Sequence, residues 1–537
     1  MKKYNIAPFL LAASLSTAAT ASTLLPPRSQ SPNIVLFLVD DMGWQDTSLP
    51  FWKERTNYNN TYHTPNMERL AERGMMFTQA YACAISSPSR CSLITGTNAA
   101  RHRVTNWTME RNVSTDLEST AFILPEWNVN GVCPVEGVEC TFPATSFVSL
   151  LHDAGYHTIH CGKAHFGALT TLGENPLNWG FDVNIAGHAA GGLATYLSEK
   201  NYGHTPDGKP YALNAISGLE KYWGTGTFAT EALTKEALAA LDHHMTSSTE
   251  QRESPLGGYL GVPPFFLYMS HYAVHIPIDR DERFYSKYID KGLDPREAAY
   301  ASLVEGMDKS LGDIMDWLDR NGLTDNTIIL FMSDNGGLAT QPEWRGGELY
   351  TQNAPLSCGK GSLREGGIRE PMIVSWPGTV QPGTQCADYV MIEDFYPTLL
   401  DMAGVTERHT QQPIDGKSFI PLLEGHKGIN KHRPLVWNFP NIWGNEGPGI
   451  NLCCAIRQDE WKLIYHYDTG EKELYNIDVD ISEEHNLAVK YPRRVSKLSR
   501  TLGHYLRSVD AQRPTIAATG EPCPWPDQIP KNPQIKN

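Results

Sequence analysis

Short apolar runs recur along the chain at 34–39, 156–161, 265–270 and 327–333, nearly continuous rather than alternating except at 156–161, where His157, Thr158 and His160 are interspersed. Alternation marks a strand with one wet face, whereas a continuous run fits a strand covered on both faces, as in a parallel sheet packed between helices. Between the runs the spacing turns helical. One helix is predicted over 65–73, with Thr64 as N-cap, Pro65 in the first turn and Gly74 beyond the end; another runs from 229 to about 245 with its apolar side chains on one face. The chain therefore reads as α/β, a large mixed, mostly parallel sheet sandwiched by helices over 31–430. After that the pattern changes, and 461–465 and 473–477 flank Asp468, Thr469 and Gly470 as an antiparallel hairpin. A smaller C-terminal α+β subdomain is expected over 431–513, and the Pro- and Gly-rich residues 514–537 are expected as an extended tail.

Each run gives way to residues that can do chemistry. The first ends in Asp40 and Asp41, the second in Gly162, Lys163, Ala164 and His165, the third in His271 with His275 one turn on, the fourth in Asp334 and Asn335. Any one of these is an ordinary strand-ending turn, but ligands of open α/β sheets bind beyond the carboxyl ends of parallel strands. Four such ends predict one site. Asp40, Asp41, Asp334 and Asn335 make an all-oxygen set suited to a hard cation such as calcium, with magnesium as the alternative. No paired cysteines face a matching His or Cys pair, so zinc is not expected.

Residues 86–96 form a further candidate: Pro88 suits a first helical turn and Gly96 an end, so a short helix is entered through Ser86. Its N-terminus would stabilise an anion, and Arg90 adds a forked cationic donor.

The formal net charge of −15 argues against a nucleic-acid partner and disfavours a long polyanion groove. Positive charge that receives an anion must then sit in a few local residues. Lys2 and Lys3, an apolar stretch over 7–15 and Ala19, Thr20 and Ala21 fit a secretory signal over 1–21, and no later run approaches membrane length. Export to the periplasm is expected, with secretion beyond it as the alternative. Ten cysteines permit disulfides there, and Cys133 and Cys140 are near enough in sequence to close a small loop. Trp107, Trp127, Trp179 and Trp223 read as packing residues, with stacking on a sugar as the other role.

The pattern S-x-P-S-R-x-x-x-x-T-G from Ser86 resembles the signature of the type I sulfatases of the alkaline phosphatase superfamily. The resemblance continues through Asp40-Asp41, Thr64-Pro65-Asn66, Gly162-Lys163 with His165, His271 to His275, Asp334-Asn335-Gly336, Gly359-Lys360-Gly361 and Glu365 to Pro371, covering most of residues 31–480. It implies an alkaline phosphatase-like fold and a nucleophile made by oxidising Ser86 to formylglycine (3-oxoalanine), work done for serine-type members by an anaerobic radical maturase. As a hydrate the aldehyde offers one hydroxyl to attack sulfur and a second whose deprotonation expels sulfate, so covalent catalysis clears itself. The resemblance further implies one calcium ion held by Asp40, Asp41, Ser86, Asp334 and Asn335. Arg90, Lys163 and Lys360 would clamp the sulfate, His165 would handle the hydrate proton, and His275 with Lys360 would serve the leaving oxygen, with His271 standing behind them. Ala164, Phe166 and Ser357 depart from common family choices, which leaves the chemistry intact and the pocket shape open. The expected substrate is a sulfated mono- or oligosaccharide. The rival readings are a phosphatase or phosphonate hydrolase of the same superfamily, which would need two zinc ions and more histidine ligands, and an inactive glycan-binding homologue.

Overall fold

The computed structural model describes residues 31–250, 262–339, 353–444 and 447–528; the expected signal over 1–21 lies outside them. Nine strands make the large sheet: Asn33–Val39 (β1), Met75–Tyr81 (β2), His157–Gly162 (β3), Val183–Ile185 (β4), Phe265–Ser270 (β5), Thr327–Ser333 (β6), Arg369–Ser375 (β7), Thr384–Cys386 (β8) and Val390–Met391 (β9). Their order is β8-β2-β7-β6-β1-β5-β3-β4, with β9 also on β2. From β6 to β4 every pairing is parallel, with Leu36 of β1 opposite Leu330 on one side and Tyr268 on the other, and only β7 runs antiparallel to its neighbours. The four apolar runs read from the sequence are the centre of this sheet, and every residue of β1, β5 and β6 is buried.

The helices fall on both faces. Pro65–Arg73 (α1), Ala229–Glu250 (α4) and Pro295–Arg320 (α5) cover the side carrying Val35, Phe37, Leu267 and Phe331. Ser86–Thr95 (α2), Phe147–Asp153 (α3) and Phe395–Met402 (α6) cover the side carrying Leu36, Phe266, Tyr268 and Leu330. The alternation of β1 side chains into two separate cores is why both parities of that strand had to be apolar. α1 has the expected bounds, but Thr64 does not cap it; its hydroxyl bonds Ser48 and Thr47 instead. α4 runs past the predicted end near residue 245.

The C-terminal sheet holds the expected hairpin, Trp461–His466 (β12) and Lys472–Asn476 (β13), preceded by two further antiparallel strands, Pro434–Phe439 (β10) and Cys453–Gln458 (β11). Pro492–Ser508 (α7) packs Leu498, Leu502 and Leu506 on its outer face. Of the segment expected as a tail, the described residues up to 528 are docked: Thr515–Ile516 pairs with Phe122–Ile123, and Cys523 and Trp525 are buried with α7; 529–537 lie outside the described residues. The Cys133–Cys140 loop is not closed by a disulfide. All ten cysteines are free, and of this pair Cys133 is buried in a short bridge pairing while Cys140 faces solvent.

Candidate active site

β6, β1, β5 and β3 are neighbours and parallel, so their carboxyl ends deliver Asp334–Asn335, Asp40–Asp41, His271 and Lys163 to one edge. The loop after β2 brings in α2 with Ser86 at its first residue, and all ten residues of α2 are buried. β3 and β5 approach closely at Gly162, where a Cβ would lie 1.9 Å from Ser270 O; only glycine fits there, and Lys163 comes directly after it.

The Ser86 hydroxyl lies 3.0 Å from Asp40 Oδ1 and 3.1 Å from Asn335 Oδ1, and accepts from Lys163 Nζ at 2.9 Å. Lys163 also donates to Asp40 Oδ2 at 2.7 Å. Arg90 donates from Nε to Asp334 Oδ2 at 2.8 Å and from Nη1 to Ser270 Oγ at 2.6 Å, a partner the sequence did not flag. Its buried Nη2 has no hydrogen-bond partner, leaving a donor for an incoming oxygen. Lys360 reaches Asp41 Oδ2 at 2.8 Å, and Asn335 Nδ2 donates to Asp41 Oδ1 at 2.8 Å.

Oxygens of Asp40, Asp41 and Asp334 all lie within 4.8 Å of one another, and all three residues are buried. Burial alone would raise each of them. For Asp40 it wins, pushing the carboxyl up to about 7 against Lys163, while Lys360, His275 and Lys163 hold Asp41 well below the carboxylate range. Arg90 and Lys163 hold Asp334 down as well. Burial and mutual repulsion thus work against the charge on these crowded carboxylates, and an all-oxygen set of this kind fits a calcium-type ion.

The two imidazoles are held in defined orientations. His275 Nδ1 lies 2.7 Å from Ile276 O and donates to it, turning Nε2 toward Asp41 Oδ2 at 3.7 Å. Burial and Lys360 push this ring down to about 3, so it is a neutral base. His165 places Nε2 2.9 Å from both Thr108 O and Ser87 Oγ, and its buried Nδ1 is unpartnered. Burial and Lys163 lower it well below the usual imidazole value. Asp41 and His165 both adopt left-handed backbone, with φ of 62° and 57°, an uncommon state for residues with side chains that often marks function. Sequence reasoning missed what fixes the rings. Gly191 and Gly192 cross both imidazoles so closely that a Cβ would lie 2.5 Å from His165 Cε1 and 2.7 Å from His275 Nδ1, respectively. His271 stands apart, bonded through Nε2 to Ser310 Oγ at 2.8 Å beneath Phe37.

Above this floor opens a cavity of about 680 Å³. Asp41, Ser86, His165, His275 and Lys360 reach it; its walls are Trp107, Met109, Val113, Leu213, Leu338 and Trp443, with Glu110 and Asn214 as polar members. Trp107, read as a core residue, is 37% exposed and lines the cavity because it projects from an irregular loop rather than from the sheet. Trp127 and Trp179 are buried as expected, and Trp223 packs on His204. Trp443, unflagged by the sequence, sits 5.7 Å from Lys360 Nζ.

The profile of the sulfatase family matches residues 32–405, and that of the N-sulphoglucosamine sulphohydrolase C-terminal region matches 359–512. A sulfatase of Formosa agariphila is 28% identical across 95% of this chain and 95% of its own length. Human N-acetylgalactosamine-6-sulfatase is 28% identical over 79% of this chain and 75% of its own. Among solved structures, Ps i-CgsB, also crystallised with k-i-k-neocarrahexaose, superposes with a TM-score of 0.68 at 26% identity, covering 90% of this chain and 94% of that one. Since the family match runs from the first sheet strand past every charged residue at the floor of the site, the chain belongs to the sulfatase family of sulfuric ester hydrolases.

Proposed function

We propose that this enzyme removes sulfate from a sulfated mono- or oligosaccharide, with Ser86 converted to formylglycine as nucleophile and one calcium ion as cofactor. The observation that carries the reading is the Ser86 Oγ at the cavity floor, within hydrogen-bond distance of Asp40, Asn335 and Lys163. Formylglycine would supply a hydrated aldehyde that both attacks sulfur and releases the sulfate it acquires. Calcium, held by Asp40, Asp41, Asp334, Asn335 and residue 86, would neutralise charge on the sulfate oxygens.

The remaining tasks fall to this chain's own atoms. Lys163 Nζ holds the nucleophile in place, and the Nη2 of Arg90, which makes no hydrogen bond and lies 3.9 Å from Asp40 Oδ1, and the Nζ of Lys360 receive sulfate oxygens. His165 takes the proton of the nucleophile at Nδ1, the ring nitrogen left bare by its Nε2 bond to Thr108. His275 Nε2 and Lys360 serve the departing sugar oxygen. Trp107 and Trp443 offer ring faces and Asn214 an amide to the sugar, a mixture suited to its apolar and hydroxyl surfaces. The sugar-directed names of relatives that share most of the chain support this substrate class. The amino-terminal pattern supports export to the periplasm after modification by a radical maturase.

The test is enzyme co-produced with such a maturase and assayed on a panel of sulfated sugars. Peptide mass spectrometry should find residue 86 lighter than serine by a pair of hydrogens. Sulfate release should vanish in Ser86→Ala, vanish on chelation and return with added calcium. Turnover by the alanine variant, or by material whose residue 86 is still serine, would sink the nucleophile assignment.

A further inference from the structure

The outer face of α7 carries charge that the catalytic cavity does not use. Residues 490–508 hold six lysines and arginines and no aspartate or glutamate, in a chain of net charge −15. With Leu498, Leu502 and Leu506 turned into the small sheet, Arg493, Lys497, Arg500 and His504 succeed one another at helical spacing on the exposed side. The stripe runs for about 16 Å.

Local rules oppose this arrangement as an ordinary solvated face. A first helical turn favours acids, yet this one holds Arg493 and Arg494 and no acid. Arg493 and Lys497 are like charges one turn apart, which weakens a helix. Elsewhere Arg69, Arg73 and Arg101 each lie on a carboxylate, whereas Lys490, Arg493, Arg494, Lys497 and Arg500 make no ion pair among the described residues. Aromatic rings support two of them instead. The Arg494 guanidinium lies 4.5 Å from the Trp461 centroid, Lys490 Nζ 5.4 Å from that of Tyr491, and the two rings meet edge-on at 5.2 Å.

Lys490, Tyr491, Arg493, Arg494 and Lys497 border a surface hollow of about 510 Å³, and Tyr491 is 38% exposed. Unpaired cations beside an open aromatic ring are what an anionic sugar chain needs: guanidinium forks for sulfate oxygens and a ring for the sugar face. None of these residues lines the cavity over Ser86. We propose that the outer face of α7 is a second, non-catalytic binding site for a sulfated polysaccharide, holding the polymer while its sulfate groups are offered to the cavity. The assignment rests on the reading of the substrate as a sulfated glycan. On a chain of net charge −15 a basic stripe also orients the polymer, attracting it at that face.

Affinity electrophoresis at about 0.15 M salt, through gels containing a sulfated galactan, its chemically desulfated counterpart or double-stranded DNA, tests this. Wild-type enzyme should be retarded by the sulfated polymer alone, and the surface variant Arg493→Ser/Lys497→Ser/Arg500→Ser should bind it at least tenfold more weakly. Lys497→Glu alone should shift in the same direction, which keeps the test valid if the triple variant fails to fold. Unchanged retardation of the variants would overturn the site, and so would DNA slowing the wild type as strongly as the sulfated galactan. Sulfate release from short sulfated oligosaccharides, measured in parallel, separates the two readings. Release without polymer binding removes only the second site, whereas no release from any sulfated sugar removes the catalytic assignment.

Discussion

Gly191 and Gly192 set the positions of His165 and His275 by leaving no room for anything larger. Neither glycine has positive φ, so an alanine at either place is opposed by the imidazole and not by the backbone. Displacing a catalytic ring by a fraction of its width has a large effect, since a misplacement of about 1 Å can cost roughly 100-fold in rate. Gly191→Ala and Gly192→Ala should each lower kcat by about 10- to 100-fold with the fold retained. They should differ in kind: the Gly192 variant, which disturbs His275 on the leaving-oxygen side of the site where Lys360 Nζ is the group with a proton to give, should lose more on alkyl sulfates than on aryl sulfates, whose leaving groups need no proton. Steady-state kinetics on both ester types checks this, and wild-type rates in either variant would show that the glycines do not fix the rings. Ser86, Asp40, Asp41, Lys163 and Asp334 were legible because each comes directly after an apolar run or opens a helix with recognisable ends. Gly191, Gly192 and Trp443 lie in irregular loops, where no periodicity connects a residue to the site it will reach.

At the level of elements, β1, β5 and β6 were readable because burial on both faces confines their polar residues to the strand ends, while β3, with His157, Thr158 and His160, was legible mainly from the Gly162-Lys163 at its end. β10 and β11 were not, being short and separated by a Gly-, Pro- and Asn-rich stretch that matches a loop equally well. α1 shows a different limit: the residue that holds its start is remote in sequence. Asp308, on α5, accepts from the backbone N–H groups of Asn66 at 3.1 Å and Met67 at 2.8 Å, and from Asn66 Nδ2 at 2.8 Å. Burial still pushes its carboxyl up to about 7. A carboxyl whose folded value lies above its free value binds a proton more firmly in the fold than in the open chain. Its contribution is therefore full below about 4, and lost as pH rises through about 7, at up to roughly 1.4 kcal/mol per unit. Denaturation of wild type and Asp308→Asn at pH 5 and pH 8 should show the wild type gaining, relative to the variant, at the lower pH. A gap independent of pH would remove Asp308 as the cause.

The whole molecule is joined by a buried ionic knot between sheet and subdomain. Lys462 of β12 donates to Glu365 at 2.9 Å and forms an ion pair with Glu483 at 2.9 Å, all three side chains are fully buried, and Glu365 accepts from Tyr81 at the end of β2. Removing the lysine leaves two buried carboxylates with Arg369, 3.3 Å from Glu365, as the cation that remains paired, and breaking such a buried pair costs up to about 3–5 kcal/mol. Lys462→Met should lower the denaturant midpoint accordingly and speed hydrogen exchange in β11 and β12, whereas an unperturbed midpoint would show that the knot contributes nothing. Burial of α2 reaches further, into the order of events in the cell. A helix with every residue enclosed cannot be handed to another protein's active site, so any chemistry that remodels its first side chain has to act on the nascent, open chain. On the proposed formylglycine reading, folding then closes that window: molecules that collapse before modification would be well-formed and stable yet inert, and the yield of working enzyme would be decided by a race rather than by an equilibrium.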